Sequence, residues 1–146
     1  MSDELFQGVS RRSAVLQAIR DLFNDLGGAV PLRELADAAV ARGVVPPEMI
    51  AACQQRGLTA LCRQALKVET DDRLPFAKPM SDDGDDDHTR WGRLNLFTYD
   101  QAAALVLRES KAWVADRIKI ERLRQWCLDR FGRAPDIPEL REIEPA

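Results

Sequence analysis

Apolar residues recur at helical spacing from Ser10 to Leu26. Val15, Ala18, Ile19, Leu22, Phe23 and Leu26 follow an i, i+3, i+4, i+7 stripe. Each large side chain in it contributes about 1.5–3 kcal/mol when fully buried. Gly27-Gly28 ends this helix, because glycine takes the left-handed cap conformation without a steric cost. Residues 1–9 read as a flexible tail ahead of it. A second helix is expected from Pro31, with Leu32, Leu35, Ala36, Ala39 and Val40 as its buried face and Gly43 at its end. A third runs from Pro47 to Lys67, its apolar face made of Ile50, Cys53, Leu58, Leu61, Cys62 and Ala65. Gly57 weakens it by up to about 1 kcal/mol and allows a break there. If the helix is continuous, Arg56, Thr59, Arg63 and Lys67 share a stripe opposite the apolar face.

The pattern changes over residues 68–97. Pro75 and Pro79 exclude a helix interior. Leu74–Lys78 reads as an extended segment. Leu94 and Leu96 alternate with Arg93 and Asn95 within Trp91–Phe97, as in a half-buried strand. The two segments make a hairpin whose loop holds the run Asp82-Asp83-Gly84-Asp85-Asp86-Asp87. Thr98 with Gln101 then forms a capping box, with Phe97 as its staple. From Tyr99 to Phe131 nothing breaks the helical pattern, which at 1.5 Å per residue spans about 50 Å, with room for a bend near Ser110. Val106, Trp113, Ile120, Leu123, Cys127 and Phe131 lie on one face, and Ala103, Leu107, Val114 and Ile118 on another. Two apolar faces call for two packing partners. Residues 133–146, with three prolines, read as a surface strap anchored by Ile137 and Leu140.

The predicted fold is therefore mainly α with a small β-hairpin. It comprises a winged helix-turn-helix domain over 10–97, a long dimerisation helix over 98–132 and a strap over 133–146. In such domains the second helix of the pair enters the major groove. Arg56, Thr59, Arg63 and Lys67 then face bases or phosphates, and Arg90 and Arg93 flank the wing. An arginine fork on guanine gives about 1–3 kcal/mol of discrimination. Val106, Trp113, Ile120, Leu123 and Cys127 form the expected dimer seam.

Charge qualifies this picture. The net charge is −3, which works against a purely electrostatic attraction to nucleic acid. The first 67 residues carry eight Lys and Arg against seven Asp and Glu, and residues 101–146 carry nine against eight. The excess acid sits in the middle, at four against nine, chiefly in the Asp run. That run departs from the calcium-loop pattern, since its glycine is third rather than sixth. It reads as a solvated loop, and no metal or cofactor is expected.

Catalytic motifs are missing from the chain. His88, the single histidine, has no serine or cysteine nucleophile at a recognisable spacing. There is no phosphate-binding glycine loop after a strand and no Cys-x-x-Cys pair. Cys53, Cys62 and Cys127 read as small buried apolar groups. No apolar run approaches the ~20 residues of a membrane span, and the N-terminus has no signal-peptide pattern. The expectation is a non-enzymatic cytoplasmic protein without membrane partners.

The stretches Leu74-Pro75-Phe76-Ala77, Trp91 through Asp100 and Glu121 through Gly132 resemble small uncharacterised proteins of phages and mobile elements in high-GC bacteria. The N-terminal half resembles the winged-helix regulators of such elements, whose PadR type ends in a dimerisation helix in the same relative place. The resemblance implies transcription regulation by a homodimer on double-stranded DNA. The alternative expectation is a protein-interaction module that binds and modulates a host protein through its acidic loop.

Overall fold

The computed structural model describes residues 2–81, 88–112 and 116–137, with the backbone alone for 2–10 and 54–56. The chain is mainly helical with a small three-stranded antiparallel sheet. The first helix, α1, covers Ser2–Asp25, so the backbone of the expected tail is helical. No proline intervenes there, and the single Gly8 does not stop the helix. Gly27 and Gly28 then take positive φ values of 104° and 76°. The Gly28 amide donates back to the Phe23 carbonyl at 2.9 Å. This glycine reversal feeds directly into a short strand, β1 (Ala29–Pro31).

Helices α2 (Leu32–Ala41) and α3 (Pro47–Leu66) each start after a proline in extended conformation, Pro31 and Pro46. Proline fixes φ near −65° and lacks the N–H that a helix start leaves unpaired. Gly43 makes the turn between them at φ 69°. Glycine adopts that conformation freely, and L side chains rarely do. α3 runs unbroken through Gly57. Ile19 and Phe23 of α1, Leu32 and Leu35 of α2, and Leu61 and Leu66 of α3 centre the first core.

Beyond α3 lie β2 (Ala77–Pro79) and β3 (Arg90–Arg93). The sheet order is β1-β3-β2, with Val30 opposite Trp91 and Lys78 opposite Gly92. The expected strand Trp91–Phe97 is thus cut short. Leu94–Leu96 forms a 3-10 turn instead, which drops Leu94 into a second core. β1, absent from the expectation, fills one edge of the sheet.

The capping box forms as expected. The Gln101 amide donates to Thr98 Oγ1 at 3.2 Å, and the Thr98 amide to Gln101 Oε1 at 2.9 Å. It starts α4 (Tyr99–Ser110). The single long helix does not form. α4 ends at the expected bend, and a separate helix, α5 (Arg117–Phe131), begins after Asp116, whose side chain caps it by accepting from the Lys119 amide. The two helices run antiparallel. Tyr99 at the start of α4 meets Phe131 at the end of α5, with ring centroids 5.7 Å apart. Ala102, Leu105 and Val106 face Ile120, Leu123 and Cys127 across the second core, which Phe97 and Ile137 close.

This corrects the expected dimer seam. Val106, Ile120, Leu123 and Cys127 are buried within the chain itself. Once the chain folds back, the α4 and α5 parts of the first stripe bury each other, while Leu107 and Ile118 of the second stay exposed. Trp113 lies outside the described residues, as does Leu140; Ile137 is buried, and the Arg124 guanidinium ties the strap by donating to the Pro135 carbonyl at 3.0 Å. Among the described residues no helix is long and apolar enough to cross a membrane.

Cysteine reactivity reads out the same burial. Desolvation pushes the Cys62 thiol up to about 12 and also raises Cys127, with Arg124 partly opposing. The thiolate is the reactive form. Iodoacetamide at pH 8 is therefore expected to modify half-buried Cys53 first, and Cys62 and Cys127 only on unfolding. Peptide mass spectrometry of the native and urea-treated protein checks this.

Candidate nucleic-acid interface

The α2–α3 pair is held rigidly. Val45 in the turn is buried, and α3 packs against both α1 and α2 through its Leu61, Cys62, Ala65 and Leu66 side. In the second half of α3 the exposed arc runs through Ala60, Gln64 and Lys67. The Arg56 side chain lies outside the described residues.

The rest of the expected stripe divides. Lys67 is exposed at the end of α3. Thr59 is only 3% exposed and belongs to the interior rather than to a base-reading face. The reason is Leu66, fully buried and seven residues further on, which draws the buried arc around to the Thr59 side. Arg63 is half-buried with its Nε shielded from water, so it does not stand out into solvent as a free fork.

The two wing arginines divide as well. Arg90, the first residue of β3, is exposed. Arg93 is engaged within the fold. Its Nη1 donates to Asn24 Oδ1 at 2.8 Å, its guanidinium lies 4.2 Å from the centre of the Phe76 ring, and its amide donates to the Gly28 carbonyl. It fastens the end of α1 to the hairpin and is not a free phosphate contact.

The second core braces the hairpin from the other side. Arg108 of α4 donates to the Pro79 carbonyl at 2.8 Å. Its neighbour Glu109 holds Lys78 in a half-buried ion pair at 2.8 Å. Both contacts fall on β2, so α4 fixes where the hairpin points. The Asp82–Asp87 run lies outside the described residues. Motif reasoning missed Arg42, an exposed cation at the end of α2. Its position just before the turn glycine was the available signal. Among the described residues no group of three or more His, Cys, Asp or Glu could hold a metal.

The chain matches no protein-family model, no curated protein and no solved structure.

Proposed function

We propose that residues 10–97 are a winged helix-turn-helix module that binds double-stranded DNA, and that the protein is a sequence-specific regulator. One observation carries this reading. A strand between the first two helices pairs with the second strand of a hairpin that follows the third helix, giving the order β1-β3-β2 beside a tightly turned helix pair. In helix-turn-helix proteins this pair lays its second helix in the major groove. The contact set is narrower than the expected stripe: Arg56 and Lys67 on α3, Arg42 in the turn and Arg90 on the hairpin. Arg56, nearest the middle of α3, is the base reader; the other three meet phosphates. A doubled reading head on a two-fold operator has to pair through a surface other than Val106, Ile120, Leu123 and Cys127.

Selection from a random-sequence duplex pool, followed by fluorescence polarisation across a salt series, tests the proposal. An enriched motif is expected, with affinity falling steeply as salt rises. Lys67→Ala should weaken binding across all sequences and reduce the salt slope by about 1. Arg56→Ala should cost about 1–3 kcal/mol and relax preference at one base pair. If no sequence is enriched and no salt-dependent binding is seen, the reading fails.

A further inference from the structure

A small cavity lies where the two cores meet. Its volume is about 60 Å³, and its charged lining comprises Lys67, Arg73, Lys78 and Lys119 with Glu69 and Glu109, over a floor that includes Leu123. One water needs roughly 10–15 Å³ on this measure, so the space suits a group of four or five heavy atoms. Four cations face two carboxylates. Glu109 is matched to Lys78 at 2.8 Å, and Glu69 lies 3.6 Å from Lys119. Lys67 and Arg73 have no ion-pair partner among the described residues. The cavity therefore holds an excess of two positive charges.

The backbone at Arg73 supplies a second, independent observation. Residues 71–73 form a three-residue loop, closed by Thr70 amide to Leu74 carbonyl at 2.7 Å and Arg73 amide to Thr70 carbonyl at 2.8 Å. The third position of such a loop takes a left-handed conformation and favours glycine. Here arginine occupies it, at φ 64°, the one non-glycine residue with positive φ among those described. Strain kept at one residue points to a task for its side chain, and this side chain lines the cavity.

We propose that the cavity binds a phosphate group, either inorganic phosphate or the terminal group of a small phosphomonoester. Lys67 and Arg73 neutralise its charge, while Lys78 and Lys119, already placed by their glutamates, supply further donors. Arginine and lysine are the side chains that bind such oxyanions, through a planar fork and a point charge respectively. The site shares Lys67 with the DNA-reading proposal, but Arg73, Lys78 and Lys119 belong to it alone, and its test is read on those residues in the absence of DNA.

Thermal unfolding at fixed pH and ionic strength tests the site, with 10 mM inorganic phosphate or glucose 6-phosphate replacing chloride. A ligand that binds the folded state with submillimolar affinity raises the melting temperature by several degrees. Arg73→Gly suits the backbone conformation and should fold normally in chloride, yet lose the phosphate response. Lys119→Gln should lose it as well. Arg11→Gln, an exposed cation paired with Glu48 on the other helices, should keep it. A larger shift with glucose 6-phosphate than with phosphate identifies the phosphomonoester as the ligand, and an equal shift identifies the phosphate group alone. No shift in the wild-type protein overturns the proposal. So does an equal shift in all three variants, which reports general exclusion of phosphate from protein surfaces.

Discussion

An Ile120→Asp protein is expected to lose the second core, at a cost of about 5 kcal/mol. Ile120 is 1% exposed, enclosed among Leu94, Phe97, Leu105, Val106 and Leu123. Truncating a buried isoleucine alone costs roughly 2–5 kcal/mol. Placing an unpaired carboxylate in the same space adds a desolvation penalty. The total is a large part of the roughly 5–15 kcal/mol that holds a domain of this size together. Urea unfolding followed by circular dichroism measures the loss. The decisive control is protein concentration. Packing within one chain gives a midpoint that does not move over a hundredfold dilution, whereas a dimer seam gives one that falls on dilution. A wild-type midpoint that falls on dilution, together with an Ile120→Asp midpoint that does not, would place part of this core between chains.

The fold was legible wherever a short-range rule was sufficient. The stripe Val15, Ile19, Leu22 and Phe23 fixed the inner side of α1, and all four are buried. Thr98 with Gln101 fixed the start of α4. Gly27, Gly28, Gly43 and Gly132 marked helix ends, and each has positive φ. The misses share one physical origin, in contacts made between distant parts of the chain. β1 is three residues long, too short to show any period, and exists because β3 offers it a partner. The reversal between α4 and α5 contains neither glycine nor proline in the described segment. Its local mark is Asp116, an ordinary helix cap. What drives the reversal is the burial of Val106 against Ile120, Leu123 and Cys127, the residues whose spacing reads as a seam with a second copy.

Arg93 and Thr59 drop out of the candidate site for the same reason. Arg93 was read as free because Phe76 and Asn24, which hold it, lie 17 and 69 positions away in the chain. Thr59 was placed outside because the apolar set used to orient α3 left out Leu66. Adding that one residue turns the helix enough to bury Thr59 and leave Ala60 in solvent.

Neighbouring substitutions on α3 should therefore have opposite consequences. Thr59→Arg is expected to destabilise the protein by about 3–5 kcal/mol. It forces extra side-chain volume into a packed interior, which by itself costs about 1–3 kcal/mol. It also takes a guanidinium out of water at a position that is 3% exposed. Ala60→Arg, one residue on and exposed, should change stability by less than about 0.5 kcal/mol. The same pair separates the two accounts of the helix. If the cationic stripe were centred on Thr59 and open to solvent, Thr59→Arg would fold normally and tighten DNA binding by adding a charge. With Thr59 inside, the added charge strengthens binding only at Ala60, where it lies beside Lys67 and the expected position of Arg56. Denaturant midpoints for the two variants, measured alongside duplex affinity at one salt concentration, distinguish these outcomes. A stable, tighter-binding Thr59→Arg protein would return the reading face of α3 to the stripe that spacing alone suggests.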